Sequence, residues 1–118
     1  FNPDVWQAYA DADIALVPSR VEPFGNTAVE AQLAGVPVVV ADAQGLPETV
    51  GHGTHGMVVP RGDDAALAAG VLELARDWPA AAATAKAARE AAAARFAPAA
   101  YRTAIAEAVD VISMRRGR

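Results

Sequence analysis

Three apolar runs constrain the fold of this chain more than any other feature: DIALVPS (13–19), VPVVVAD (36–42) and GMVVP (56–60). The middle run is almost entirely β-branched. Continuous apolar segments of this length, ended by proline or aspartate, have the profile of strands buried on both faces. NTAVEAQLAG (26–35) lies between the first two and predicts a helix with Val29 and Leu33 on one side and Gly35 as its C-terminal stop. GLPETV, between the second and third, allows one helical turn started at Pro47. Strand–helix–strand units with buried strands imply a parallel sheet, right-handed crossovers and helices on both faces.

The flanking segments read as helices. FNPDVWQAYADA opens the chain: Asn2 suits a cap, Pro3 the first helical position, and Val5, Tyr9 and Ala12 share a face. After RGDD the strand pattern stops. Asp63 or Asp64 caps AALAAGVLELARDW, in which Leu67, Val71, Leu74 and Trp78 recur at helical spacing, and Pro79 interrupts. AAAATAKAAREAAAARF has strong intrinsic helix propensity. Pro98 opens a last helix with an apolar stripe of Tyr101, Ile105, Ala108, Val109 and Ile112. The expected organisation is an α/β core over residues 1–60 and a helical C-terminal extension over 61–118, together one partial domain. A doubly wound nucleotide-binding sheet has about six strands. Three strands would leave an open hydrogen-bonding edge, covered by chain upstream of Phe1 or by a second copy.

Bulk properties exclude several classes of function. The chain has 118 residues and no cysteine, so disulfides and thiolate metal sites are ruled out. No apolar run reaches the roughly 20 residues of a membrane span, and a cytoplasmic location is expected, with peripheral attachment at the membrane left open for the parent protein. The chain starts at Phe1 without methionine or a signal-peptide pattern, so its start reads as a cut. Net charge is -4 but uneven: residues 1–60 hold seven acids and one base, Arg20, whereas 61–118 hold nine bases and seven acids. No basic stripe with interleaved aromatics argues for nucleic acid. His52 and His55 stand three apart in a glycine-rich turn, without the carboxylates or cysteine a metal centre needs, and read as a solvated loop.

EPFGNTAVE (22–30) is the segment that carries chemistry. In an open parallel sheet, ligands bind beyond the carboxyl ends of the strands, where loops enter helices. This loop holds that place, between a strand ending near Ser19 and a helix starting near Asn26. Gly25 lets backbone approach a ligand closely. The first amides of the helix, near Asn26, Thr27 and Ala28, form an anion site with the helix dipole. Glu30, one turn in, can reach a hydroxyl beside a phosphate, and Glu22 the other side of the same cavity. Residue types alone leave a plainer alternative open: TAVE also fits a capping box, Thr27 accepting an N–H while Glu30 reaches back. Glu22 could be an ordinary loop acid, Phe24 packing, and Asn26 a helix cap.

With those residues in view, the chain resembles the C-terminal, donor-binding domain of retaining glycosyltransferases of the GT-B architecture, the glycosyl transferases group 1 family. The likeness is carried by ADIALVPSRVEPFGNTAVEAQLAGVPVVVADAQGLPETVG (12–51) and GMVVPRGDDAALAAGVLEL (56–74). Two glutamates seven residues apart, with PFG between them and AGVPVV after, are specific only in combination. The resemblance implies the second half of a Rossmann-like domain. It implies that Glu22 faces the donor sugar as the catalytic carboxylate, acting by electrostatics and positioning. Phe24, Gly25 and Asn26 would line the sugar, the Thr27 amide would bind the diphosphate and Glu30 the ribose. It implies a hexosyl transfer from a nucleoside-diphosphate sugar, with no metal or other cofactor. A separate N-terminal acceptor domain would be the missing partner, and the isolated chain would be inactive and prone to self-associate through its sheet edge or last helix. The helix 98–114 would pack toward the missing domain and leave its stripe partly exposed. Gln44 stands where the family often has one of two paired glycines, and Arg20 alone does not balance a diphosphate. A sugar-nucleotide epimerase and a non-catalytic nucleotide-sugar-binding or assembly module are the alternative readings.

Overall fold

A computed structural model describes residues 3–19, 26–96, 107–112 and 114–115. Its order is α1 (Pro3–Asp11), β1 (Ala15–Val17), α2 (Asn26–Leu33), β2 (Val38–Ala41), α3 (Leu46–Thr49), a 3-10 turn (Gly51–Gly53), β3 (Met57–Val59), α4 (Asp64–Arg76) and α5 (Trp78–Phe96). Residues 107–112 and 114–115 are also helical. The three strands form one parallel sheet in the order β1-β2-β3. Ala15 to Val17 pair with Val38 to Val40, and Val39 to Ala41 with Met57 to Val59. The α/β expectation therefore holds, with each strand shorter than its apolar run.

Alternation along β2 shows why both of its faces are covered. Val38 and Val40 belong to the core cluster shared with Ala28, Ala31 and Leu33 of α2. Val39, on the opposite face, lies toward α4: a β carbon placed on Gly70 would come 3.5 Å from the Val39 Cγ1 and 2.7 Å from the Met57 sulfur. Glycine at position 70 is thus what lets α4 settle on β2 and β3. On the α2 face, a β carbon on Gly56 would come within 2.7 Å of Val38 Cγ1 and 2.8 Å of Val50 Cγ1. Both faces of β2 are dry, which accounts for a central strand without polar alternation, whereas Leu16 of β1, on the Val39 face, is 44% exposed.

α2 ends as its glycine predicts. Val36 N–H reaches Ala31 O at 3.0 Å and Gly35 N–H reaches Gln32 O at 3.0 Å. Gly35 has φ +75 between them, so the two bonds form a Schellman end that turns the chain into β2. Buried Gln32 then donates from Nε2 to the carbonyl oxygens of Ala28 (3.1 Å) and Thr49 (2.8 Å), tying α2 to α3. Thr49 Oγ1 donates to Leu46 O at 2.7 Å. These two polar side chains are buried with their hydrogen bonds made.

Four expectations need correction. Ala12 lies outside α1, its N–H bonded to Tyr9 O at 3.2 Å as the helix closes. Trp78 and Pro79 begin α5 instead of ending α4: Asp77 accepts from the Ala80 N–H (3.3 Å), and proline in a first turn removes no helical hydrogen bond. Thr27 is the second residue of α2, so the Thr27–Glu30 pair does not sit at capping-box spacing from the helix start. Val109 and Ile112 are buried in the same core cluster as Trp6, because the C-terminal helix folds back onto α1. There the Arg115 Nη1 donates to Gln7 Oε1 at 2.7 Å, while Val111 and Met114 stay exposed. Tyr101 and Ile105, the other large members of that stripe, lie outside the described residues. No described helix is long and apolar enough to cross a membrane.

Candidate functional site

Parallel strands align their carboxyl ends on one edge. Val17 lies across from Val40, and Ala41 across from Val59, so Pro18, Asp42 and Pro60 leave the sheet side by side. The Asp42 N–H extends the pairing by one bond to Val59 O at 2.8 Å. Two long helices, α2 and α4, start from this edge, and their first turns differ. Asp63 accepts the Ala66 N–H at 2.9 Å and Asp64 opens α4, so this N-terminus is capped and negatively charged. The first turn of α2 contains no acid. An anion approaching this edge is therefore repelled by α4 and attracted by α2.

Three of the expected site residues, Asn26, Thr27 and Glu30, lie in the first two turns of α2. Asn26 and Thr27 start α2 with Thr27 exposed, Ala28 is fully buried, and Glu30 is half-buried one turn in. Glu22, Phe24 and Gly25 lie outside the described residues. Gln44, in the loop after β2, has φ 43, a left-handed conformation that glycine adopts at lower cost. The residue that departs from the family's paired glycines thus keeps the glycine-like backbone.

Sequence reasoning treated Tyr9 as packing only. Its ring packs against Trp6 with centroids 5.8 Å apart, and its hydroxyl donates to the Thr27 carbonyl oxygen at 3.3 Å. Burial, and then the charge of Glu30, push its pKa up to about 12. A helical tyrosine just before a strand, on the same side as a tryptophan, is the only sequence signal that could have marked it.

A cavity of about 50 Å³ opens at the carboxyl edge between Pro18, Ala41, Val59, Pro60 and the start of α4. A larger one, about 360 Å³, lies at the opposite end of the strands, among Pro37, Gly56, Met57 and the junction of α4 with α5. Its acids, Glu73 and Asp77, are exposed, and His55 is half-buried beside it. Volume favours the amino end. The physics of an anionic ligand favours the carboxyl edge.

Residues 1–91 match the sequence profile of the family described as Glycosyl transferases group 1. The chain belongs to this family. It is 46% identical over 74 residues to the D-inositol 3-phosphate glycosyltransferase of Corynebacterium kroppenstedtii, covering 63% of this chain and 16% of that enzyme. It is 44% identical over 79 residues to the glycogen synthase of Mycobacterium tuberculosis, covering 67% and 19%. Among solved structures, HepE of Anabaena in complex with UDP-glucose superposes with a TM-score of 0.79 at 35% identity, over 94% of this chain and 31% of that one. Sucrose-phosphate synthase of Thermosynechococcus elongatus gives 0.74 at 34% identity, over 85% and 25%. The chain thus spans less than a third of each of these proteins, and its fold is that of GT-B glycosyltransferases.

Proposed function

We propose that this chain is the donor side of a retaining glycosyltransferase that moves a hexose from a nucleoside-diphosphate sugar to an acceptor. The observation that carries the reading is the α2 mouth: an acid-free helix start at the carboxyl edge of a parallel sheet, directly after the EPFG loop. HepE, a structural neighbour, was solved with UDP-glucose, which supports a nucleotide-sugar donor. The Thr27 amide binds the diphosphate and Glu30 the ribose hydroxyls. Glu22, with Phe24, Gly25 and Asn26, surrounds the hexose. Preorganised amides stabilise the charge that gathers on the leaving diphosphate, without metal assistance. The acceptor oxygen bonds to the anomeric carbon from the same face that the diphosphate leaves, the departing diphosphate takes the acceptor's proton, the anomeric configuration is retained, and Glu22 stabilises the cationic sugar.

Glu22→Gln in the full-length protein tests the reading. Turnover with its preferred donor among UDP, GDP and ADP sugars is expected to fall by about a hundredfold or more, the scale of one electrostatic group in a transition state. Unchanged turnover would favour the assembly-module alternative. The 118-residue chain alone is expected to show no transfer, because residues 1–60 offer Arg20 as the one cation for a diphosphate. Product formation by the isolated chain would contradict that.

A further inference from the structure

The cavity at the amino end of the strands, about 360 Å³, has the size that takes a small organic molecule. It exists because α5 presents alanine where it passes the start of β2. Ala81 and Ala85 are at most 4% exposed and carry one methyl each, so space remains between them and the buried Pro37 and Val38. Met57 and Leu74, both half-buried, complete an apolar floor.

The rim carries one sign of charge. Glu73 and Asp77 stand four residues apart at the end of α4, both exposed and both lining the cavity. Like charges at this spacing repel, and a helix C-terminus disfavours anions. Asp77 has a local task, since it accepts the Ala80 N–H at 3.3 Å and so caps α5. The Glu73 carboxylate makes no hydrogen bond or ion pair among the described residues. Among those residues neither lysine nor arginine lines the cavity, while His55 and Thr84 add groups that can hydrogen-bond. An apolar floor beneath two carboxylates matches a cation on a compact apolar body. The body displaces water from the alanine face and the charge meets the rim. An anion of the same shape is repelled.

We propose that this cavity is a second ligand site, specific for a small organic amine in its ammonium form. It lies at the opposite end of the strands from the α2 mouth and does not rest on the donor reading. The ligand touches β2, β3, α4 and α5 together, so occupancy clamps the α4–α5 junction onto the sheet.

NMR titration of the full-length protein, observed at the methyl groups of Met57, Ala81 and Ala85, tests the proposal with three probes of one shape. Phenylethylammonium is the cation, phenylethanol its neutral counterpart and phenylpropionate its anionic one. The ammonium ion is expected to shift all three methyls with a Kd on the order of 1 mM, the scale of a fragment of about nine non-hydrogen atoms. Phenylethanol should bind about five- to tenfold more weakly, the worth of two exposed charge pairs, and phenylpropionate more weakly still. Glu73→Gln with Asp77→Asn keeps a side-chain oxygen to cap α5 and should lower the ammonium ion to the affinity of phenylethanol. Ala85→Leu should fill the space and abolish binding of all three; where it unfolds the chain, the charge-neutral double variant decides alone. Equal affinity for the ammonium ion and the alcohol would overturn the proposal, as would an unchanged affinity in the double variant. Shifts confined to other methyls, or none at roughly ten times the expected Kd, would overturn it too.

Discussion

The sheet and α5 bury their surfaces by different means. In β2, Val38, Val39 and Val40 are at most 2% exposed, each filling space between two layers. In α5, the buried face is Ala81, Ala85, Ala88 and Ala92, also at most 4% exposed but one methyl deep. Valines remove much apolar area from water, so the sheet gains its stability from volume. Alanines remove little; they allow α5 to run close along α2 and α4, with Arg95 donating to the Glu48 carbonyl oxygen at 3.3 Å near its end. The sheet should therefore be sensitive to loss of atoms, and α5 to their addition. The α2 mouth lies where these two regimes meet, since α2 packs on β1 and β2 on one side and on α5 on the other.

The largest expected effect tests the sheet side. Leu46, the first residue of α3, is fully buried in the core cluster that contains Val38 and Val40, and Leu46→Ala should cost about 2–5 kcal/mol in urea unfolding. Ala88→Leu should cost about 1–3 kcal/mol by overpacking, although leucine is a good helix former. If Ala88→Leu were neutral, the close approach of α5 would be wrong. Gln32→Ala removes both bonds to the Ala28 and Thr49 carbonyl oxygens and should cost about 1–3 kcal/mol. A change below about half a kcal/mol would mean that the Thr49 carbonyl finds water instead.

The smallest expected effect is a change with pH. The Tyr9 pKa is raised from 10.0 to about 12, so the folded state holds this proton more tightly than the unfolded state does. Its contribution is complete below pH 10 and is lost as pH rises through about 12. Alkaline denaturation should therefore lose part of its steepness in Tyr9→Phe. An identical alkaline profile in wild type and variant would place Tyr9 in free solvent.

The centre of the sheet was legible because burial of β2 on both faces forces an unbroken β-branched run; β1 kept an apolar run although its Leu16 is exposed. Gly35 declared its turn for a similar reason: few residues accept φ +75 at a helix end. Pro79 misled because proline breaks a helix interior but suits a first turn, and only the Asp77 cap distinguishes the two. The burial of Val109 and Ile112 was illegible, since an apolar stripe names a buried face without naming its partner. In the site, the position of Thr27 and Glu30 at the carboxyl edge followed from strand order. The Tyr9–Thr27 bond spans 18 residues and has no local signature. Gln44 was visible as a departure from a glycine pattern, but its φ 43 was not.

Everything functional turns on whether the α2 mouth holds a diphosphate. The direct measurement is a crystal structure of the full-length protein with the nucleoside diphosphate, UDP, GDP or ADP, that it binds most tightly by calorimetry. A phosphate oxygen about 3 Å from the Thr27 N–H, with the ribose hydroxyls on Glu30, is the expected result. Phosphates bound at the amino end of the strands, between α4 and α5, with the Thr27 amide turned to water, would contradict it.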